Sequence, residues 1–256
     1  MALTENQFAD YLRFSQDHFS PCEEIDLSNN SHAFQLSTIA KPTIIKNSAI
    51  WKNSQAWSKA YIEEKFGKLT CTVARDLDTI NIDLYIHNLS FKNYLNESIG
   101  ESAFARIPYE QNQYHPFIDE IAFPNYVFSE ALIKDILFYH AKQRWGALPH
   151  IHDLIALNLL HDGIKLWVFF DANPRLANNG FMLSQHYAEK YGHVASASNW
   201  FNQEYKNLAS KKVPVYTCLQ RAEDLVFVPD NYCHTVLNLE DTQGFIIMLN
   251  KRCNDK

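Results

Sequence analysis

The chain has 256 residues, 46% hydrophobic and 20% charged, with a formal net charge of −6. That length and composition fit one large globular domain with a sizeable core and argue against disorder. The acidic balance, with no Lys/Arg run, disfavours nucleic acid as a partner, since no cationic field meets the phosphates.

Taken in chain order, Thr4 and Gln7 form a capping box, and Phe8, Tyr11 and Leu12 share a face, which predicts a helix over 4–18. The amino-terminal stretch lacks a basic and an apolar region, so no signal peptide is expected, and no segment is long and apolar enough to span a membrane. SNNSH (28–32) reads as a turn and PTIIKN (42–47) as a short strand. A helix capped by Ser54 and ended by Gly67 follows, then a strand over 69–75 and an alternating strand over 80–86. Serines precede two short predicted helices, 90–98 and 129–137.

Beyond 137 the texture becomes strand and turn: ILFYHAK, LPHIHD, LIALNLL, a His-Asp-Gly turn and IKLWVFF. A helical insert is expected at about 184–208. Then come VPVYTCLQ, a RAED turn, LVFVPD, HTVLNLE, a DTQG turn and FIIMLN. Such repetition predicts a sandwich or small barrel, and the fold class is α+β: a mainly helical part (1–70) packed on a β-barrel (70–256) as one domain. The five cysteines are odd in number and contain no CxxC pair, which reads as reduced thiols in a cytoplasmic protein.

Histidine carries the candidate chemistry. His150 and His152 stand two apart, so a strand there would aim both imidazoles at one face. His234 comes from a distant strand, and two close ligands plus one distant ligand is how a barrel builds a three-residue site for iron with open positions. On spacing alone, packed or surface histidines are an equal reading of the set.

The stretch GALPHIHDLIALNLLHDGIKLWVFF, followed by EDLVFVPDNYCHTVLNL, resembles the core of the JmjC oxygenase family. KPTIIKNSAIWKNSQAWSKAYIEEKFGK resembles that family's entry segment, and SASNWFNQEYKNLASKKVPVYTCLQRAEDLVFVP resembles its insert. The resemblance implies a double-stranded β-helix (cupin or jelly-roll core) that binds Fe(II) and takes 2-oxoglutarate as co-substrate. His150 matches the first ligand, His234 the distal one, and Lys165 the lysine that pairs with the C5 carboxylate of 2-oxoglutarate. Tyr139 matches a pocket-lining aromatic group, and Asn250 an asparagine near the co-substrate.

The chain departs from the family's usual His-x-Asp. His152 occupies the carboxylate position, as in some His-x-His members, and Asp153, one residue later, is the alternative third ligand. Ala147 and Ala156 stand where Thr or Ser, and Asn, are common; Asn158 is placed to compensate for the second. Cys233 replaces a bulky aromatic residue. The resemblance implies hydroxylation of a protein side chain or a small molecule. Histone demethylation is disfavoured by the lack of zinc-finger cysteines and of a basic patch. Helices beyond the barrel, through which the asparaginyl-hydroxylase branch dimerises, are not expected. The competing readings are a non-catalytic JmjC-like scaffold and a three-His cupin dioxygenase without 2-oxoglutarate; Lys165 counts against the latter.

Overall fold

The eight strands from 133 to 249 divide between two layers, four in each, with a shared apolar interior between them. The structure, a computed structural model, describes residues 5–28, 39–47, 57–75, 85–97, 103–107, 117, 133–171, 196–211, 214–230 and 232–250. The amino-terminal part holds α1 (Glu5–His18), β1 (Ser20–Pro21), β2 (Glu23–Asp26), β3 (Thr43–Lys46) and α2 (Lys59–Phe66). Next come β4 (Thr70–Arg75), β5 (Tyr85–Ser90), α3 (Phe91–Glu97) and β6 (Ala103–Ile107). The barrel strands are β7 (Ile133–Ala141), β8 (Gly146–His150), β9 (Ile155–Asp162), β10 (Ile164–Asp171), β11 (Val215–Arg221), β12 (Leu225–Val228), β13 (Tyr232–Asn238) and β14 (Thr242–Leu249). Between β10 and β11 lie α4 (Ala197–Gln203) and a 3-10 turn, Lys206–Lys211.

One sheet runs β1-β11-β10-β13-β8 and the other β2-β3-β12-β9-β14-β7-β6-β4-β5. Within them, β11-β10-β13-β8 faces β12-β9-β14-β7, the four-on-four double-stranded β-helix of the jelly-roll fold. The outer face of the nine-stranded sheet packs Leu157, Phe245 and Ile247 under Phe66, Phe91 and Tyr94. The outer face of the five-stranded sheet packs Leu166, Val168 and Phe170 against Tyr11, Trp200 and Tyr205. The third apolar cluster is the barrel interior itself, with Trp167, Phe169, Val226, Val228 and Val236.

Several predicted elements move. The helix expected over 129–137 is strand from Ile133 onward, and Ser129 lies outside the described residues. Pairing with β6 on one side and β14 on the other overrides its local propensity. The α2 cap is Ser58, whose Oγ accepts from the Tyr61 N–H at 3.3 Å, rather than Ser54, which lies outside the described residues. Ser90 ends β5, and its Oγ accepts from the Asn93 N–H at 3.2 Å to cap α3. The predicted turn at 28–32 and the strand over 80–86 fall largely outside the described residues; of the helical insert expected at 184–208, residues 196–208 are described and hold α4 and the start of the 3-10 turn. The amino-terminal part is not only helical, since β1 joins one sheet and β2–β3 the other.

The turns have specific causes. Gly163 links β9 to β10 at φ +90°, a left-handed conformation that glycine adopts without a Cβ clash. Gly244 was expected in a turn, but β14 begins at Thr242, so this glycine is a strand residue. A Cβ there would collide with the Tyr139 hydroxyl and the Leu159 carbonyl. Among the described residues, no helix is long and apolar enough to cross a membrane.

Candidate metal centre

The register of the five-stranded sheet lays the interior out in layers. Across β11-β10-β13-β8 the mouth layer reads Tyr216, Phe169, His234 and His150. Below it lie Cys218, Trp167, Val236 and Ala147, and below those Gln220, Lys165 and Asn238. Residues two apart on a strand share a face, and Trp167, Phe169, Cys218, Val236 and Ala147 all pack in the interior cluster.

His150 reaches this face by an irregularity. Val236 pairs with Ala147 and His234 with His150, so two steps on β13 match three on β8. The extra residue is a β-bulge, which reverses the parity and turns His150 inward. Pro149 lies inside it, where a residue with no N–H removes nothing from a regular ladder. β8 ends at His150, so His152 lies in the connection 151–154 rather than on a strand. The same-face argument for the 150/152 pair therefore fails, yet the chain still delivers His152 to the cluster.

The ligating atoms of His150, His152 and His234 all lie within 4.8 Å of one another. Ring centroids are 4.2 Å apart for His150–His234, 4.9 Å for His152–His234 and 6.0 Å for His150–His152. Each Nδ1 sits on a backbone carbonyl two residues away: His150 on Leu148 O (2.7 Å), His152 on Leu154 O (2.6 Å) and His234 on Tyr232 O (3.1 Å). A carbonyl only accepts, so each Nδ1 carries the proton and each Nε2 keeps its lone pair. That is the tautomer of a metal-bound histidine held by an outer partner. Burial is the main cause that holds all three below the usual imidazole range, His150 at about 4 and His234 well below. The neighbouring imidazoles push His234 further in the same direction. Neutral imidazoles at neutral pH suit a divalent cation.

A family profile described as "JmjC domain, hydroxylase" matches residues 151–245. Over those residues the chain is similar to JmjC domains. No curated protein matches it.

The floor of the barrel is polar. Lys165 is 4% exposed, and its Nζ stands 3.5 Å from the Tyr139 ring centroid, a cation–π contact. Among the described residues no ion pair includes Lys165. Its burial drives the ammonium well below the usual lysine range. The Tyr139 hydroxyl donates to Asn158 Oδ1 (2.9 Å), with Leu159 O at 3.2 Å. Trp167 Nε1 donates to Gln220 Oε1 (2.8 Å), while Gln220 Nε2 donates to Asn158 O (2.9 Å) and Asp224 O (3.1 Å). Tyr139, Asn158 and Lys165 thus meet on one floor.

Asn250 follows β14 directly and is half-buried, two residues past Met248 of the interior cluster. Asp153 is exposed and is not part of the three-histidine group. Ala147 and Ala156 both line the interior and offer it no polar group. Cys233 faces the other way, packed in the outer core with Leu148 and Phe170.

Sequence reasoning missed Gln220, Trp167, Phe169 and Tyr216. The signal was present for two of them, since Lys165, Trp167 and Phe169 share one parity in IKLWVFF. Trp167 and Phe169 stack at 5.5 Å, and each centroid is 6.1 Å from that of His234.

Proposed function

We propose that the chain is an Fe(II)- and 2-oxoglutarate-dependent oxygenase that hydroxylates a protein side chain or a small molecule. One observation carries this reading: three imidazoles whose ligating atoms lie within 4.8 Å of one another share a barrel with a buried lysine that has no ion-pair partner among the described residues. His150, His152 and His234 would hold iron. When bound, the metal supplies the redox chemistry that activates dioxygen.

The chain's own residues do the rest. Lys165 lies four residues along β10 from the mouth layer, about 13 Å by strand rise, a gap the lysine arm and a short dicarboxylate share. Its ammonium would meet the far carboxylate in a desolvated setting, where a charge-assisted bond contributes about 1.5–3 kcal/mol. Trp167 and Phe169 keep water from the space beside His234. Tyr139 supports the lysine from below.

The test is anaerobic addition of Fe(II) and 2-oxoglutarate, read by a metal-to-ligand charge-transfer band, then succinate release on admitting oxygen. Absence of both the band and 2-oxoglutarate binding sinks the reading.

A second reading has its own support. The described ligand group contains no carboxylate, and Asp153 is exposed. Three neutral ligands leave iron more positive and change its redox tuning. A binding or scaffold protein that keeps fold and metal would show 2-oxoglutarate binding without succinate across substrates.

A further inference from the structure

Cys22, Cys71, Cys218 and Cys233 are buried free thiols. The packing separates them. Cys71 belongs to the core beside α2 and α3, and Cys233 to the core beside α1 and α4. Cys22 and Cys218 share the third cluster, at the barrel interior.

Cys22 lies at a seam. It is the single residue between β1, in the five-stranded sheet, and β2, in the nine-stranded one. β1 runs parallel to β11 with Pro21 opposite Thr217, and the Cys22 N–H donates to Thr217 O at 2.9 Å. One further step in that register sets Cys22 level with Cys218, on the face opposite Thr217. Neighbouring Cα atoms then stand about 4.8 Å apart. A disulfide spans Cα separations of roughly 4.4–6.8 Å, so the backbones need not move. Burial first, and then the neighbouring Cys22 thiol, push the Cys218 thiol well above its ordinary value. At 6% and 9% exposure both residues retain a trace of solvent access.

We propose that Cys22 and Cys218 are a redox modification site: a reversible disulfide that staples the amino-terminal strap across the barrel seam. The oxidant is a small-molecule disulfide such as oxidised glutathione. One cysteine thiolate attacks it, the glutathione S–S bond breaks, and a mixed disulfide forms as one glutathione leaves as a thiol. The second cysteine attacks the protein sulfur of that mixed disulfide, forms the Cys22–Cys218 bond and expels the other glutathione. Two cysteines lose two electrons and two protons, and one glutathione disulfide gains them. The bond closes a loop of nearly two hundred residues, which restricts the unfolded chain strongly. None of this depends on the metal centre.

The test equilibrates the full chain across reduced-to-oxidised glutathione ratios, blocks free thiols by alkylation and maps peptides without reduction. A Cys22–Cys218 crosslink is expected, reversed by reductant, with a thermal midpoint several degrees above that of the reduced chain. Cys22→Ser abolishes both, and Cys71→Ser retains both. Full alkylation after prolonged oxidation overturns the proposal. So does a persistent glutathione adduct, a crosslink of another pair, or a crosslink that leaves the midpoint unchanged. If the Cys22→Ser variant fails to fold, the wild-type alkylation map still decides.

Discussion

The mouth and the floor of this barrel solve one problem, the orientation of buried polar side chains, in opposite ways. At the mouth every imidazole is fixed by a carbonyl two residues away, so each ligand's tautomer is set by its own strand or loop. On the floor, Tyr139 is held by a residue 19 positions away, Trp167 by one 53 away, and Gln220 reaches 62. The mouth is therefore built locally and poised for an ion. The floor is built by the whole fold and leaves one cation, Lys165, over an aromatic ring with no ion-paired carboxylate among the described residues. Metal binding and anion binding should thus be separable by substitution.

The largest effect is expected from His234→Ala. Loss of an outer partner of a ligand costs about 10–100-fold in metal affinity, and loss of the ligand itself should exceed about a hundredfold. Competition against a chelator measures it. Lys165→Met is next. It should leave metal affinity within a few-fold while weakening 2-oxoglutarate by roughly 10–150-fold, the equivalent of one charge-assisted bond. A metal affinity that falls with Lys165→Met would break the separation of mouth and floor.

The same lysine gives a pH signature in the ligand-free chain. Its pKa is lowered in the folded state from an ordinary 10.5, so between the lowered value and 10.5 the unfolded chain holds the proton more firmly. Stability contributed by this group therefore rises with pH through that window. The difference between wild type and Lys165→Met isolates it from the tyrosines and cysteines that titrate nearby. Chemical denaturation at several pH values should show wild type gaining on the variant as pH rises. A smaller effect is expected from Tyr139→Phe, which strands Asn158 Oδ1 and costs about 1–3 kcal/mol of stability with metal affinity unchanged.

The contrast also explains what could be read from the sequence. IKLWVFF, LVFVPD and HTVLNLE announce buried strands by composition alone, and His150 and His234 stand out by spacing and by their resemblance to the JmjC core. The bulge at Pro149 is invisible locally, because it exists only relative to β13, whose partner residues lie more than 80 positions on. Residues 133–137 read as helix because the edges that make them a strand, β6 and β14, lie about 30 positions before and 110 after. The strand that would carry both His150 and His152 stops two residues short of His152, so His152 joins the cluster from the connection and not from a shared strand face. Cys22 and Cys218 gave no signal at all, since only the parallel register of a two-residue strand brings them level.

The smallest expected effect falls on the third ligand, where the sequence left two candidates. Asp153 is exposed at the rim, and its neighbour His152 is the member of the three-imidazole group. An exposed carboxylate acts on a nearby ion through solvent, worth up to about 1 kcal/mol, or roughly fivefold in affinity. Asp153→Asn should therefore change metal affinity by no more than that, and the small change should vanish in high salt. His152→Ala should resemble His234→Ala. If the two results are exchanged, with Asp153→Asn stripping the metal and His152→Ala sparing it, the connection 151–154 closes differently around an ion. The mouth would then not be preset by its local carbonyl bonds, and the distinction between a locally built mouth and a globally built floor would fall at the residue where the chain departs from the usual His-x-Asp.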